Sequence, residues 1–256
     1  MTPSAVAPPV PARDVLGLAV HAFDLEGFAR WLAVAAARPS CPVRVGYVNA
    51  ATVDLAAGSA ELRAALRSME CLVADGQSVV WAARRLGQPL PERVNITDVA
   101  ETVACEVASR GLRVALIGGP PGEAEGFAAA MRRVAPDLQV VLCASGFLDA
   151  AGERSVLDAI EEADPHLVLL GMGTPLQEER ANRWSAEGSP RVWWCVGAVF
   201  TYFAGTRRRA PVWVRRAGLE WVVRWVQEPR RLARRYLLGN PRFVWRVARR
   251  SSLPAD

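Results

Sequence analysis

Short apolar runs of β type, separated by helix-type segments, constrain the fold of this chain more than any other feature. Seven such runs occur between residue 15 and residue 197: VLGLAV, VRVGYVN, CLVAD, RVALIGG, LQVVLCA, HLVLLGM and RVWWCVG. The intervening segments, such as DLEGFARWLAVAAAR and EAEGFAAAMRRVA, carry apolar residues at the three- and four-residue spacing of amphipathic helices. Strands alternating with helices are typical of a mostly parallel sheet covered on both faces. The sequence therefore predicts an α/β domain with a Rossmann-like sheet.

The charge is divided unevenly along the chain. All 31 basic residues are Arg; residues 206–256 carry 14 of them against three acids, whereas residues 1–205 carry 17 against 23 acids. The basic part also contains four Trp residues and has Leu and Val at helical spacing, and Pro229 and Pro241 divide it into short helices. We expect a disordered tail over residues 1–12, an α/β domain over 13–205 and a helical, Arg- and Trp-rich appendage over 206–256.

The sequence disfavours a secreted protein, a membrane-spanning protein and a metal-binding protein. The start, MTPSAVAPPVPAR, has no positively charged segment followed by a continuous apolar core, and no run reaches the roughly 18 apolar residues of a spanning helix. The five Cys residues are scattered without a CxxC pair, which favours reduced packing residues in a cytoplasmic protein. His21 and His166 are isolated and lie near predicted strands, so we expect structural roles and no metal site.

Polar residues and glycines follow the predicted strands where a ligand would bind an open parallel sheet. Asp75 comes directly after CLVA, where a carboxylate serves either as a general base or as the N-cap of the next helix; the spacing alone favours the cap. Asn49 follows VRVGYV and either binds a ligand or caps a helix over residues 51–67. These positions are predicted to converge on one crevice.

Two glycine-rich turns precede helices, in IGGPPGEAEG and GMGTPLQEER. Neither matches GxGxxG or GxxxxGK[ST], so a dinucleotide or P-loop site is only weakly indicated. Two interpretations stay open: a less specific nucleotide or diphosphate site at the helix starts, or ordinary turns between strand and helix. No Asp-x-Asp motif is present to hold a divalent cation against a diphosphate, so backbone N–H groups, helix dipoles or Arg would have to stabilise such a leaving group.

The basic C-terminal part has three interpretations. Arg-rich helices with Trp on the apolar side suit an anionic membrane surface, because the rings enter the interface while guanidinium groups meet lipid phosphates. The same charge suits RNA, and the aromatic rings suit packing on the sheet. The recurrence of Trp with Arg favours the membrane over nucleic acid.

Taken together, these residues resemble the WecG/TagA/CpsF family of bacterial glycosyltransferases. The resemblance covers about residues 44–245 and is carried by YVNAATVDLA, ADGQSVVWAARRLGQPLPERVNITDV, RVALIGGPPGEAE, LVLLGMGTPLQEE, the long block from WWCVGAVFTYFAGTRRR to EPRRLARRY, and NPRF. It implies an inverting transferase, without metal or other cofactor, that moves an N-acetylmannosamine-type sugar from UDP to a polyprenyl-diphosphate-linked sugar in surface-polysaccharide or wall-polymer synthesis. A peripheral place on the cytoplasmic face of the plasma membrane follows, as does homo-oligomer formation where lipid does not cover the Trp-rich part.

The resemblance also implies roles for individual residues. Asp75 is similar to the base that deprotonates the acceptor hydroxyl. The implied substrate-binding residues are Asn49, Arg93, Gly118, Gly119, Gly171, Gly173, Gln177 and Glu178. The implied membrane or diphosphate contacts are Arg207, Arg208, Arg215, Arg216, Arg224, Arg230, Arg231, Arg234 and Arg235. Two positions depart from the family pattern near the expected donor pocket: Tyr47 stands where Thr is frequent, and Ile96 where Gly is usual.

A second hypothesis from another class is a non-catalytic nucleotide-binding module whose basic tail binds a partner or nucleic acid. An Asp75→Asn variant separates the two hypotheses, because only the enzyme needs a carboxylate at that position for turnover.

Overall fold

A computed structural model describes residues 7–37, 40–188, 190–207, 220–227, 235–250 and 253. Eight strands form one sheet in the order β1-β2-β4-β3-β8-β7-β5-β6. Their bounds are β1 Ala12–Val15, β2 Leu18–His21, β3 Val43–Val48, β4 Cys71–Ala74, β5 Arg113–Gly118, β6 Gln139–Ala144, β7 Leu167–Gly171 and β8 Val192–Cys195. All neighbours pair in parallel except β1 and β2. The predicted α/β class with a mostly parallel sheet is confirmed.

The first predicted strand is the one that the structure corrects. VLGLAV is not one strand but the junction of the antiparallel hairpin β1–β2, whose strands pair from Ala12 opposite His21 to Val15 opposite Leu18. Leu16 and Gly17 form the turn with φ values of 57° and 87°. Two residues with positive φ are what a tight hairpin turn needs, and a continuous apolar run conceals such a turn when only one of the two is Gly.

Nine helices connect or flank the strands up to residue 203 of the described chain. They are α1 Leu25–Ala37, α2 Ala50–Gly58, α3 Ala60–Arg67, α4 Gln77–Arg85, α5 Ile96–Ala108, α6 Glu123–Val134, α7 Ala150–Ala163, α8 Leu176–Ser185 and α9 Val199–Phe203. The single helix expected over 51–67 is two helices, because Ser59 has an extended backbone and caps α3 through the N–H of Leu62.

The helices bury one apolar cluster on each face of the sheet. One cluster contains residues of α1, α5, α6 and α9, and the other contains residues of α2, α3, α4, α7 and α8. Strand β8 shows why a central strand must be apolar on both sides: Trp194 packs in the first cluster and its neighbour Trp193 in the second. Successive side chains of a strand point to opposite faces, so both indole rings are buried.

Both histidines have the structural role expected of them. Nδ1 of His21 accepts the N–H of Leu72 at 3.3 Å, and Nδ1 of His166 accepts the N–H of Arg113 at 3.0 Å. Burial lowers the pKa of each imidazole, which favours the neutral ring that can accept these bonds. Of the cysteines, Cys71 and Cys195 are buried as expected, whereas Cys105 on α5 is exposed.

The end of the described chain returns to the α/β domain. A helix over Glu220–Gln227 and a π-helical turn over Arg235–Gly239 precede the C-terminal helix, Asn240–Arg249. Phe243 of the C-terminal helix is buried in the second apolar cluster, and the N–H of Leu253 donates to the carbonyl of Leu16 at 2.8 Å. Among the described residues, no helix is both long and apolar enough to cross a membrane.

Candidate active site

The candidate site lies at the carboxyl edge of the sheet, where β3, β4, β5, β7 and β8 end side by side. Asn49 follows β3 and Asp75 follows β4, and the two strands are adjacent and parallel. Parallel pairing in register places the two side chains together: Nδ2 of Asn49 donates to Oδ2 of Asp75 at 3.3 Å. The edge of the sheet therefore carries a half-buried carboxylate with an amide beside it.

Asp75 is not the N-cap of the helix that follows it. That cap is Gly76, which has no side chain to offer. Oδ1 of Asp75 instead accepts the N–H of Ile96 at 3.1 Å and Nδ2 of Asn95 at 3.0 Å, both at the start of α5. The capping interpretation is wrong for a geometric reason: the side chain turns away from α4 toward the first turn of a helix 20 residues later in the chain.

Asn49 caps a helix, which is one of its two predicted roles, and it also contacts Asp75; ligand binding by Asn49 stays a prediction. Its Oδ1 accepts the N–H groups of Ala51 and Thr52 at 3.1 Å and 3.0 Å and so caps α2. Its Nδ2 is left to face Asp75. The carbonyl oxygen thus accepts bonds from the start of α2, while the amide nitrogen donates to the residue after β4. These bonds together determine the orientation of the side chain.

Arg93 contacts the first turn of α5. It is half-buried in the segment that leads into α5, two residues before Asn95. Its guanidinium forms an ion pair with Asp98 of the first turn of α5, at 3.2 Å. The ion pair places a positive charge close to the α5 start, where the N–H groups hold Asp75.

The glycines after β5 and β7 are required first by chain packing. A Cβ added at Gly118 would lie 2.5 Å from the backbone of Gly171, and one added at Gly171 would lie 2.9 Å from the ring of Phe200. Gly119, with φ of 65°, donates its N–H to the carbonyl of Gly171 at 3.0 Å. Gly173 has a φ of 80°. It differs from these three glycines because nothing lies within 4 Å of the place where its Cβ would be. The open position of the GMGTP turn is therefore at Gly173.

Gln177 and Glu178 face the protein interior at the start of α8. Gln177 is fully buried; its Oε1 accepts the N–H of Gly197 at 2.9 Å, and its Nε2 donates to the Tyr47 hydroxyl at 3.3 Å and to Oε1 of Glu178 at 2.8 Å. Oε1 of Glu178 also accepts the Thr174 hydroxyl at 2.9 Å. A direct contact of Gln177 with a substrate would require these bonds to be exchanged.

Glu178 has an unusual environment for a carboxyl group. Its side chain is fully buried, and Oε2 has no hydrogen-bond partner among the described residues. Burial raises the pKa of this carboxyl above its ordinary value, because desolvation outweighs the hydrogen bonds from Gln177 and Thr174. The group therefore takes up a proton more readily in the folded chain than in water.

Comparison with known proteins assigns this chain to a family. The family model described as "Glycosyl transferase WecG/TagA/CpsF family" matches residues 13–255. The chain belongs to that family. Proteins of Staphylococcus aureus strains MRSA252, MW2 and COL are 29% identical to it over 178 residues, covering 70% of this chain and 68% of each relative. Each relative is named N-acetylglucosaminyldiphosphoundecaprenol N-acetyl-beta-D-mannosaminyltransferase.

Membership of the WecG/TagA/CpsF family confirms the resemblance and the prediction of a glycosyltransferase. It also disfavours the alternative of a non-catalytic nucleotide-binding module. The roles of individual residues stay predictions. Within the described residues, no three His, Cys, Asp or Glu side chains cluster as a metal site would require.

Most of the arginines assigned to membrane or diphosphate contacts lie outside the described residues. Arg207 is described and half-buried, and its N–H donates to the carbonyl of Thr201 at 3.2 Å. Only the backbone of Arg224 and Arg235 is described, in helical segments. The others lie outside the described residues: Arg208, Arg215, Arg216, Arg230, Arg231 and Arg234.

Three residues at or beside the candidate site were not predicted from the sequence: Asn95, Phe147 and Glu123. Asn95 lies in the stretch ERVNITDV, where Asn followed by a helix start is a signal of a cap. Phe147 is 78% exposed in the turn after β6, whose Gly146 packs against Gly118 and Gly119. An aromatic residue directly after a strand and a Ser-Gly pair is the signal that would have identified it.

Glu123 at the start of α6 was also missed. Its carboxylate is buried, and its two oxygens accept the hydroxyl groups of Thr201 and Thr206 at 2.8 Å and 2.7 Å. These bonds attach α6 to the stretch of chain that leads into the basic segment. A glutamate in a first helical turn has no sequence signal that distinguishes this use from ordinary helix-dipole complementarity.

Proposed function

We propose that this chain transfers an N-acetylmannosamine-type sugar from UDP to a polyprenyl-diphosphate-linked N-acetylglucosamine, with inversion at the anomeric carbon. The observation that carries the proposal is the Asp75 carboxylate at the carboxyl edge of the sheet, held by Asn49, Asn95 and the N–H of Ile96. The names of the Staphylococcus aureus relatives support this choice of donor sugar and acceptor.

In the proposed reaction Asp75 is the general base. Its Oδ2 takes the proton of the acceptor hydroxyl while the hydroxyl oxygen forms a bond to the anomeric carbon. The bond from that carbon to the UDP oxygen breaks on the opposite face, and UDP leaves with the electron pair. A positioned base of this kind contributes on the order of 10² to 10⁴ to the rate.

The donor nucleotide is proposed to bind along the ends of β5, β6 and β7. Phe147 offers an exposed ring for stacking of the uracil base, and such a stacking contact contributes about 1 to 3 kcal/mol. The open turn at Gly173, directly before α8, offers room for the diphosphate at the positive end of that helix. In this proposal Arg93 and the arginines after residue 206 supply the positive charge that a metal ion would otherwise provide.

The basic C-terminal part is proposed to bind the anionic inner surface of the plasma membrane, where the lipid-linked acceptor lies. On the C-terminal helix, Phe243 packs inward while Val244 and Trp245 are exposed, and the Arg249 guanidinium lies 4.5 Å from the Trp245 ring centroid. An exposed indole with a guanidinium beside it suits the interface between lipid acyl chains and phosphates. Where lipid is absent, a second copy of the chain is the proposed cover for this face.

The test is release of UDP by the purified protein from UDP-N-acetylmannosamine, with and without a short-chain polyprenyl-diphosphate-N-acetylglucosamine. We expect release that depends on the acceptor, persists in EDTA, and falls by at least 10²-fold in Asp75→Asn, which keeps the size of the side chain. The melting temperature of the variant serves as the control for folding. Binding of UDP without turnover of any UDP-sugar in a panel would overturn the proposal and favour the nucleotide-binding module.

A further inference from the structure

Two asparagine side chains hold Asp75 in the same way. Asn49 and Asn95 each use the carbonyl oxygen to cap a helix, α2 and α5 respectively, and each turns its amide nitrogen toward Asp75. Of the two polar atoms of an Asn side chain, only the carbonyl oxygen can accept a bond from the N–H groups of a helix start, so the amide nitrogen of each side chain has to point away from its helix. The orientation of both amides is therefore determined by the helices that they cap.

Capping alone does not explain the choice of Asn at position 95. Ser, Thr and Asp cap helices about as well as Asn does, but only Asn carries an N–H₂ donor together with the capping oxygen. At position 95 the capping oxygen accepts the N–H groups of Thr97 and Asp98, both at 3.2 Å, and the donor reaches Oδ1 of Asp75 at 3.0 Å. Asn is the residue type that performs both tasks at once.

The backbone around Asn95 is fixed against the end of β4. The N–H of Val94 donates to the carbonyl of Ala74 at 2.8 Å, immediately before Asp75. Asn95 itself is 5% exposed, and the N–H of Ile96 adds a second bond to the same oxygen of Asp75. Asn95 therefore has little freedom to rotate away from the carboxylate.

The two oxygens of Asp75 are held unequally. Oδ1 accepts two hydrogen bonds of 3.0 Å and 3.1 Å, whereas Oδ2 accepts one of 3.3 Å from Asn49 among the described residues. A carboxylate oxygen accepts two bonds readily, so Oδ2 retains the capacity to take a proton from a hydroxyl group.

We infer that Asn95 is a positioning residue for the base: by holding Oδ1 it directs Oδ2 of Asp75 to the hydroxyl of the acceptor. This inference rests on the proposed function. Proton transfer needs the accepting oxygen within hydrogen-bond distance of the hydroxyl at a suitable angle, and a carboxylate free to rotate would lose that alignment for much of the time. Asn95 does not touch the substrate in this arrangement and acts only through Asp75.

The first test compares Asn95→Ser with Asn95→Ala and the wild type. Ser keeps a capping oxygen for α5 but has no N–H₂ group for Asp75, whereas Ala removes both. We expect Asn95→Ser to retain a melting temperature near that of the wild type while kcat falls about 10- to 100-fold and the KM for the UDP-sugar changes less than threefold. A purely structural role would instead make activity follow the melting temperature across both variants.

The second test is the pH dependence of kcat/KM in Asn95→Asp. The variant keeps an oxygen for the cap but brings a second carboxylate to the place of the amide, about 3 Å from Oδ1 of Asp75. Two carboxylates at that distance share one proton. As the pH is lowered, kcat/KM of the variant should therefore fall at a pH that is higher than for the wild type, by one pH unit or more.

The results separate this inference from the function on which it rests. A wild type that releases UDP, together with an Asn95→Ser variant within twofold of its kcat and an Asn95→Asp profile at the wild-type pH, would overturn the role of Asn95 alone. A wild type that turns over no UDP-sugar would overturn the proposed function and this inference with it. Loss of kcat in Asn95→Ser with the shifted profile in Asn95→Asp would support both.

Discussion

Glu178 lies in an environment that disfavours an ionised carboxylate. It is a fully buried carboxyl group, and Oε2 is without a hydrogen-bond partner among the described residues, while Oε1 accepts two bonds. An ionised oxygen in that position costs free energy because water no longer solvates it. The cost is avoided when the group is protonated, which is why its pKa is raised.

Replacing Glu178 by Gln should therefore change how stability depends on pH. Because the pKa of this acid is raised in the folded state, its contribution to the free energy of unfolding becomes less favourable as pH rises from the unfolded pKa through the folded one. Glu178→Gln keeps an acceptor for Thr174 and Gln177 but cannot ionise. We expect its free energy of unfolding relative to wild type to rise from pH 4 to pH 8, measured by urea unfolding.

Glu179→Gln is the matched control for this prediction. Glu179 lies on the same turn but is exposed, so loss of its charge should leave the pH dependence of the wild type almost unchanged. Unfolding curves of Glu178→Gln that run parallel to those of the wild type over this pH range would contradict the prediction.

At the scale of elements, the contact between α6 and α9 depends on a glycine inside a helix. A Cβ added at Gly126 would lie 2.7 Å from Cβ of Ala204 and 3.0 Å from its Cα, which is closer than such atoms approach. Glu123, one turn earlier on α6, binds Thr201 and Thr206 on the same stretch of chain. The close approach of the two helices and the buried carboxylate together determine where the chain enters its basic segment.

We expect Gly126→Ala to destabilise the protein in spite of the better helix propensity of Ala. The methyl group must push α9 away from α6, which costs about 1 to 3 kcal/mol. Gly58→Ala is the matched control, because Gly58 also lies in a helix but has nothing within 4 Å of its added Cβ. Because Gly58 is the last residue of α2, that substitution should raise the free energy of unfolding by less than the roughly 0.5 to 1 kcal/mol of a mid-helix position, so thermal or urea unfolding should show opposite signs for the two variants. Equal signs would show that propensity, not the close approach, decides stability at residue 126.

At the scale of the whole molecule, the C-terminal helix has one face for the protein and another for its surroundings. Phe243 is 4% exposed, whereas Val244 and Trp245 are 64% and 51% exposed. The inward face attaches the helix to the domain that carries Asp75. The outward face is then available to the membrane that we propose, at a fixed position relative to the site.

Trp245→Ala should weaken binding to vesicles that contain phosphatidylglycerol without changing the melting temperature. We expect about a tenfold loss of affinity in a sedimentation assay, because a half-exposed indole gains apolar burial in the interface. Trp81→Ala is the control: Trp81 is 60% exposed on α4, outside the basic part. High salt should weaken binding of all three proteins. Equal binding by wild type and Trp245→Ala would contradict the proposal that this face of the C-terminal helix binds the membrane. If the protein instead forms a dimer without lipid, and Trp245→Ala dissociates it, the face binds a second copy of the chain.

Much of the fold was predictable from local pattern. Helical periodicity placed α1 and α6 within a residue of their bounds, and short apolar runs found β3 to β8, because the apolar pattern that is buried is a property of each segment. The turn at Leu16 was missed, since its apolar side chain conceals a positive φ. The break at Ser59 was missed for a different reason: a polar residue inside a helical pattern is compatible with both continuation and a new cap.

The sequence by itself therefore determined the class of the sheet, the residues at its carboxyl edge and, through specific motifs, the family. Only the tertiary structure decided which of those residues contact one another and which are buried. It turned Asp75 toward α5 rather than α4, assigned two asparagine amides to it, and buried Gln177 and Glu178 in the interior. The physical reason is that hydrogen bonds between residues distant in sequence depend on which strand ends are neighbours, and strand order is a property of the whole sheet rather than of any segment.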